Sequence, residues 1–264
     1  DWSSNVCSSD LLEQLQQWMR IPGSHLKELR RRLAVSLGVF VISLVLGMVG
    51  AEPVFAFLKR TGPAAALELH AFSPWDSIQV YMQVAGVVAL LVTLPFLGLQ
   101  LWLFARPGLT KAERRTTLFY IPFGALLLAA GILFGYLVVF RIAFFFTAGV
   151  AGNMGLKVTY GIASYFSFMC NIVVIMGLLF EMPVAAMFLT KLGILKPAHM
   201  KKVRRGAYFL LVVLGVTVTP PDFISDFLLI LPLLTLYEVS IGCSGLVYRR
   251  RMRGEVRREI GRVG

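Results

Sequence analysis

Glu28, Glu113 and Glu181 are the residues of this 264-residue chain whose type and placement point most directly to chemistry. Glu28 lies in SHLKELRRRL and Glu113 in ARPGLTKAERR, each a lone carboxylate among several Lys and Arg. A carboxylate accepts two parallel hydrogen bonds from a guanidinium, so two such acids in a basic field form negative wells suited to a pair of arginines on another molecule. Each also has a purely local use. Glu28 can pair with Arg31 or Arg32 one helical turn on, and Thr110 with Glu113 has the S/T-x-x-E spacing of a capping box. Glu181 differs in kind: it stands ten residues before Lys191 in a long apolar run, about 15 Å along a helix. A carboxylate at that depth costs roughly 2.5 to 3.5 kcal/mol to insert. It must face protein or water, either as a functional group or as a neutral acid hydrogen-bonded within the bundle.

Enzyme chemistry finds little support. No Ser/His/Asp or Cys/His set, HExxH, paired intramembrane Asp motif or phosphate-binding glycine loop occurs, so the residues point to a binding protein. Cys7, Cys170 and Cys243 are an odd number without CxxC spacing, and the last two lie in apolar runs where a thiol acts as a small hydrophobe. His25, His70 and His199 are scattered. These patterns imply no disulfide framework, no metal and no cofactor.

The elements that must position the acids are apolar helices. Hydrophobic residues make up 57% of the chain and charged residues 15%, against roughly 25% charged in a soluble domain; the mean hydropathy is +0.75. A spanning helix needs about 20 apolar residues. Five stretches qualify: 33–51, 77–105, 116–140, 158–190 interrupted by Glu181, and 227–248 interrupted by Glu238. A sixth, 206–221, has 16 residues and reaches only about 24 Å.

Charge decides in favour of six. With six spans, 22 of the 26 Lys and Arg fall on one side, in 11–32, 106–115, 191–205 and 249–264, leaving Lys59, Arg60, Arg141 and Lys157 on the other. Both termini are then cytoplasmic by the positive-inside rule. The net charge of +12 thus describes orientation first and attraction to anionic membrane lipid second; it does not call for nucleic acid. The expected fold class is an all-α membrane protein of six transmembrane helices with shorter fifth and sixth helices. The tight turn at Pro220, Pro221 and Asp222 makes that pair antiparallel and packed together.

By segment, 1–12 reads as a non-native leader, 13–32 as a cytoplasmic amphipathic helix, 33–248 as the transmembrane domain and 249–264 as a basic cytoplasmic tail. The halves show no internal repeat of the transporter kind. Pro183 removes a backbone donor just past Glu181 and predicts a kink there. Glu238 is expected to snorkel or to find a partner on Arg249 to Arg251, and Asp222 to cap the last helix.

Taken in order, SHLKELRRRL, FSPWDSIQVY, LPFLGLQLWLFARPGLTKAERR, SYFSFMCNIVVIMGLLFEMPV and TVTPPDFISDFLLILPLLTLYE resemble the TatC family, the polytopic core of the twin-arginine protein translocase, over 24–248. The resemblance implies a receptor in the bacterial inner membrane that binds twin-arginine signal peptides of folded cargo at the cytoplasmic face. It also implies association with other copies of itself and recruitment of single-span TatA/TatB-type subunits, using the proton-motive force. By the same resemblance Glu28 and Glu113 form the signal-binding site, with Arg30, Phe104, Pro107 and Arg114 on other positions of those motifs. Glu181, Thr219 and Asp222 are implied in partner-helix docking and translocation, and Pro53 in the outer loop.

There are departures from the family pattern. Asp76 and Ile78 stand where it has Glu and Phe, and Arg141 where it has an apolar residue or proline. A reading of a different class is a secondary transporter or proton channel centred on Glu181. The short fifth helix and its tight partner imply local thinning of the bilayer, which beside a polar glutamate would lower the barrier to moving a folded protein.

Overall fold

In the computed structural model of the protein, residues 27–263 are described except 29, 62, 64–67, 107–113, 115–116, 156–158 and 219–222. The long apolar runs are helical, since in hydrocarbon the backbone must satisfy its own hydrogen bonds. Helix α1 (Arg30–Val49) leads through Gly50 into the short α2 (Ala51–Arg60). Helices α3 (Trp75–Ala105), α4 (Tyr120–Asn153) and α5 (Ile162–Leu192) follow, each long and apolar enough to cross a membrane. Then come α6 (Pro197–Lys202), α7 (Arg204–Val218) and α8 (Phe223–Val263).

Five helices qualify as spans by length and composition, the last through Leu229–Arg250 of α8. The chain is a multi-spanning membrane protein. The sixth apolar stretch is α7, whose 15 residues reach about 22 Å, short of a hydrocarbon core of roughly 30 Å. The expectation of a short last helix is corrected: α8 runs for 41 residues and is the longest helix described. Its basic end contains no proline and is rich in Arg, a good helix former, so the helix continues past the apolar segment.

Two features were not expected from sequence. Strands β1 (Leu69–His70) and β2 (Tyr160–Gly161) pair in parallel, Leu69 with Tyr160 and His70 with Gly161. They tie together the loops that precede α3 and α5, so both helices start at one end of the bundle. In α4, residues Gly135–Phe140 form a π-helical turn.

Packing between α4 and α5 runs through glycine. A Cβ on Gly131 would lie 2.7 Å from Cβ of Phe180, and one on Gly177 would lie 3.1 Å from Cγ1 of Ile132. Lipid supplies no hydrophobic drive between helices, so close van der Waals contact at small residues has to hold them. Towards the β end an aromatic cluster fills the core. Phe140 meets Tyr165 edge-on at 5.4 Å, Tyr165 meets Phe166 at 5.4 Å, and Phe55 brings α2 onto Phe166 at 5.2 Å. The first two, edge-to-face, match the quadrupoles of the rings, while the Phe55–Phe166 pair is tilted at 34°.

Helices α7 and α8 pack antiparallel, as the tight turn implied. Arg204 and Tyr208 at the start of α7 bond to Glu238 of α8, while Gly215 further along lies against Leu229 and Ile230. The second half of α5 packs on α8 through a buried hydroxyl pair. Oγ1 of Thr190 lies 2.6 Å from Oγ of Ser244 and donates to the carbonyl of Ala186.

Candidate functional site

Glu28 opens the helical segment that becomes α1. Its carboxylate takes two bonds from Arg32, from Nε at 3.2 Å and from a terminal nitrogen at 2.6 Å. The i,i+4 alternative of the sequence reading is therefore the one adopted, and Arg31 is not the partner. Both bonds converge on Oε1. Among the described residues Oε2 is left without a donor, and the side chain is 43% exposed. A second guanidinium can share this carboxylate without evicting Arg32. Arg30, on the same turn, is exposed.

Arg32 also reaches the end of α3. With Leu33, Leu97, Gln100, Leu101 and Phe104 it lines a small void of about 20 Å³. Beyond Phe104 the chain turns, and Nε of Arg114 donates to the carbonyl of Arg106 at 3.1 Å across the segment 107–113. Arg114 thus joins the two described residues that flank the segment 107–113. Arg106 lies over the ring of Trp102 at 5.7 Å, a cation–π contact that holds its guanidinium along α3. Glu113, Pro107, Thr219 and Asp222 lie outside the described residues. Pro53 stands exposed in the first turn of α2, where a missing N–H costs no helical bond.

Glu181 occupies the break in α5. Helix Ile162–Phe180 ends on it and helix Met182–Leu192 starts from it. The predicted kink is present, and its cause is Pro183, which cannot donate back along the helix. Oε1 packs against Gly124 of α4, where a Cβ would lie 2.6 Å away. Oε2 is buried and has no hydrogen-bond partner among the described residues. The carboxyl lines a cavity of about 330 Å³ between α3, α4 and α5, together with Leu97, Leu101, Phe104, Tyr120 and Phe188. An oxygen without a partner in apolar walls is expensive.

The fold joins two parts that sequence kept separate. Phe104, which the resemblance places with the signal-binding residues, borders both the Arg32 void and the Glu181 cavity. Leu97 and Leu101 do the same. A continuous apolar wall therefore runs from the Glu28–Arg32 pair to the intramembrane carboxyl.

Elsewhere the structure reassigns partners. Glu238 binds Arg204, whose Nε donates at 2.6 Å, and Tyr208, so its partners among the described residues lie on α7 and not at Arg249 or Arg250. Asp76 accepts the amides of Phe72 at 2.8 Å and Ser73 at 3.1 Å. That arrangement of capping-box type at the start of α3 explains an acid there in local terms. Nε of Arg141 is buried without a partner among the described residues, and nothing in the structure explains the substitution.

Comparison with known proteins follows the same lines. Residues 24–232 match the profile of a family described as Sec-independent protein translocase protein (TatC). The chain is 42% identical over 231 residues to Sec-independent protein translocase protein TatCd of Bacillus subtilis, covering 88% of this chain and 94% of that one. It is 40% identical over 226 residues to the TatC protein of Halalkalibacterium halodurans, covering 86% and 89%. Among solved structures, a crystal structure of a twin-arginine translocase receptor TatC superposes with a TM-score of 0.73 at 29% identity, covering 84% of this chain and 99% of that chain.

Proposed function

Because the chain belongs to the TatC family of Sec-independent protein translocase proteins, we propose that it is the membrane receptor and core subunit of a twin-arginine translocase. It sits in the bacterial inner membrane with six spans, α7 being the short fifth, and with both termini in the cytoplasm. Glu28 and Glu113 bind the two arginines of a signal peptide, and the apolar part of the peptide follows the wall of Leu97, Leu101 and Phe104. Single-span subunits are then recruited near Glu181, Thr219 and Asp222, and the proton-motive force drives transport. The protein binds and moves its cargo and catalyses no covalent step.

The observation that carries the reading is the half-exposed Glu28 carboxylate, whose Oε2 has no donor among the described residues, next to a hydrophobic wall that leads towards the intramembrane carboxyl. A charged pair followed by an apolar segment fits that order of surfaces. A transporter centred on Glu181 fits less well. Its cavity is walled by aliphatic and aromatic groups, with Tyr120 the other polar side chain on the lining, whereas proton paths through membranes use chains of polar groups.

The test is site-specific photocrosslinking from positions 28 and 113 of the full chain in membranes to a twin-arginine signal peptide. Adducts should form with the Arg-Arg peptide and weaken strongly with Lys-Lys. Equal labelling by both, or none, would remove the proposed binding site.

A further inference from the structure

The face of the bundle between α1 and α5 carries polar groups that none of the assigned roles uses. Gln79 and Gln83 are one turn apart on α3, and Ser167 and Asn171 one turn apart on α5, so they form a single stripe across two neighbouring helices. Nε2 of Gln79 and Nε2 of Gln83 both donate to Oγ of Ser167, at 3.2 and 2.6 Å. Oε1 of Gln83 is buried and has no partner among the described residues. Asn171 is exposed. Gln83 lies eight residues past Trp75 and Asn171 nine past Ile162, about 12 and 14 Å from the helix starts. That depth is hydrocarbon, which offers these amides no hydrogen bond.

The stripe borders a groove with a cavity of about 230 Å³. Phe40 of α1 forms one wall, Cys170, Asn171 and Ile175 of α5 the other, and Gln83 and Gly86 of α3 the floor. A Cβ on Gly86 would meet nothing within 4 Å, so another backbone can approach the floor closely. The groove shares no lining residue with the Glu181 cavity.

We propose that the α1–α3–α5 groove docks one transmembrane helix of a single-span partner, apolar except for one hydrogen-bonding side chain that meets Asn171 and Gln83. The groove is lined by three helices, with Phe40 on one side and Cys170 and Asn171 on the other, a concave surface that suits a single helix better than the broad face of a second copy of this bundle. Oε1 of Gln83, without a partner among the described residues, and the exposed amide of Asn171 favour a rod with a polar group at their depth, and the apolar remainder of the lining favours one that carries little else. The inference deepens the recruitment part of the translocase reading and rests on it only for the partner's origin.

The test uses the full chain in nanodiscs, labelled with an acceptor fluorophore. Two donor-labelled synthetic Leu/Ala helices of about 22 residues are titrated, one with a single Gln a third of the way along and one with Leu there. The Gln helix should bind about fivefold more tightly, the range seen for interhelical hydrogen bonds in model peptides. Asn171→Leu should erase that difference while leaving thermal unfolding unchanged, Asn171→Gln should keep it, and Gly86→Leu should block both helices by filling the floor. Equal affinity of the two helices for the unsubstituted chain overturns the proposal, as does a preference that survives Asn171→Leu or binding that survives Gly86→Leu. Arg-Arg peptide labelling at position 28, measured in the same discs, should be untouched by Asn171→Leu. A failure of signal binding is thereby told apart from a failure of the groove.

Discussion

Gly124 of α4 gives Glu181 of α5 the space it occupies: a methyl group at position 124 would lie 2.6 Å from Oε1 of the carboxylate. Gly124→Ala should therefore displace the carboxyl or push the helices apart, at a cost of about 1–3 kcal/mol. Glu181→Ala removes the obstructing atoms, so the double variant should recover at least about 0.5 kcal/mol relative to additivity. Unfolding of the four proteins in detergent measures the coupling. Strict additivity would mean that the two residues do not touch.

Thr190 and Ser244 share a buried hydrogen bond where the second half of α5 meets α8. Both are fully buried, so neither hydroxyl can turn to water. Thr190→Val keeps the shape and removes the donor and acceptor, and should destabilise by roughly 0.6–1.7 kcal/mol, the span of such bonds in membrane bundles. With Ser244→Ala already present, the same substitution should cost measurably less.

Arg32 holds Oε1 of Glu28 and so partly neutralises the carboxylate that an incoming guanidinium would share. Exposed i,i+4 pairs contribute below about 1 kcal/mol, so releasing Glu28 through Arg32→Gln should tighten binding of an Arg-Arg signal peptide by about two- to fivefold. The gain should shrink as salt is raised, because exposed charges are screened. Unchanged affinity at low ionic strength would mean that the carboxylate is not the contact.

The short α7 offers a test of bilayer thinning. Four leucines inserted between Thr217 and Val218, past the Gly215 contact with Ile230, would add about 6 Å. The Arg204–Glu238 pair keeps its register. Export of a twin-arginine reporter should fall, and full export by the lengthened protein would sink the thinning idea.

Much of the bundle was legible from patterns that act along one helix. Apolar run length located the spans, i,i+4 spacing anticipated Glu28 with Arg32, and Pro183 anticipated the break at Glu181. What escaped depends on register between helices. Glu238 chose Arg204, 34 positions earlier, because α7 folds back alongside α8, whereas spacing along α8 pointed to Arg249. The meeting of Phe104 with Glu181 needed α3 and α5 to cross at the right height. The two-residue β1–β2 ladder carries no alternation long enough to be read as strand. The amide stripe was visible as Gln79, Gln83, Ser167 and Asn171, and polar residues recurring every four positions within apolar runs were the signal that could have found it.

The break at Glu181 divides α5 between two sets of neighbours. Its first half is keyed to α4 by Gly177 against Ile132, and its second half is pinned to α8 by Thr190 and Ser244. A guest wedged against the glutamate would press at the fulcrum of a two-armed lever. With one arm clamped in the aromatic core, the stroke would be delivered to α8, and through it to the α7 hairpin.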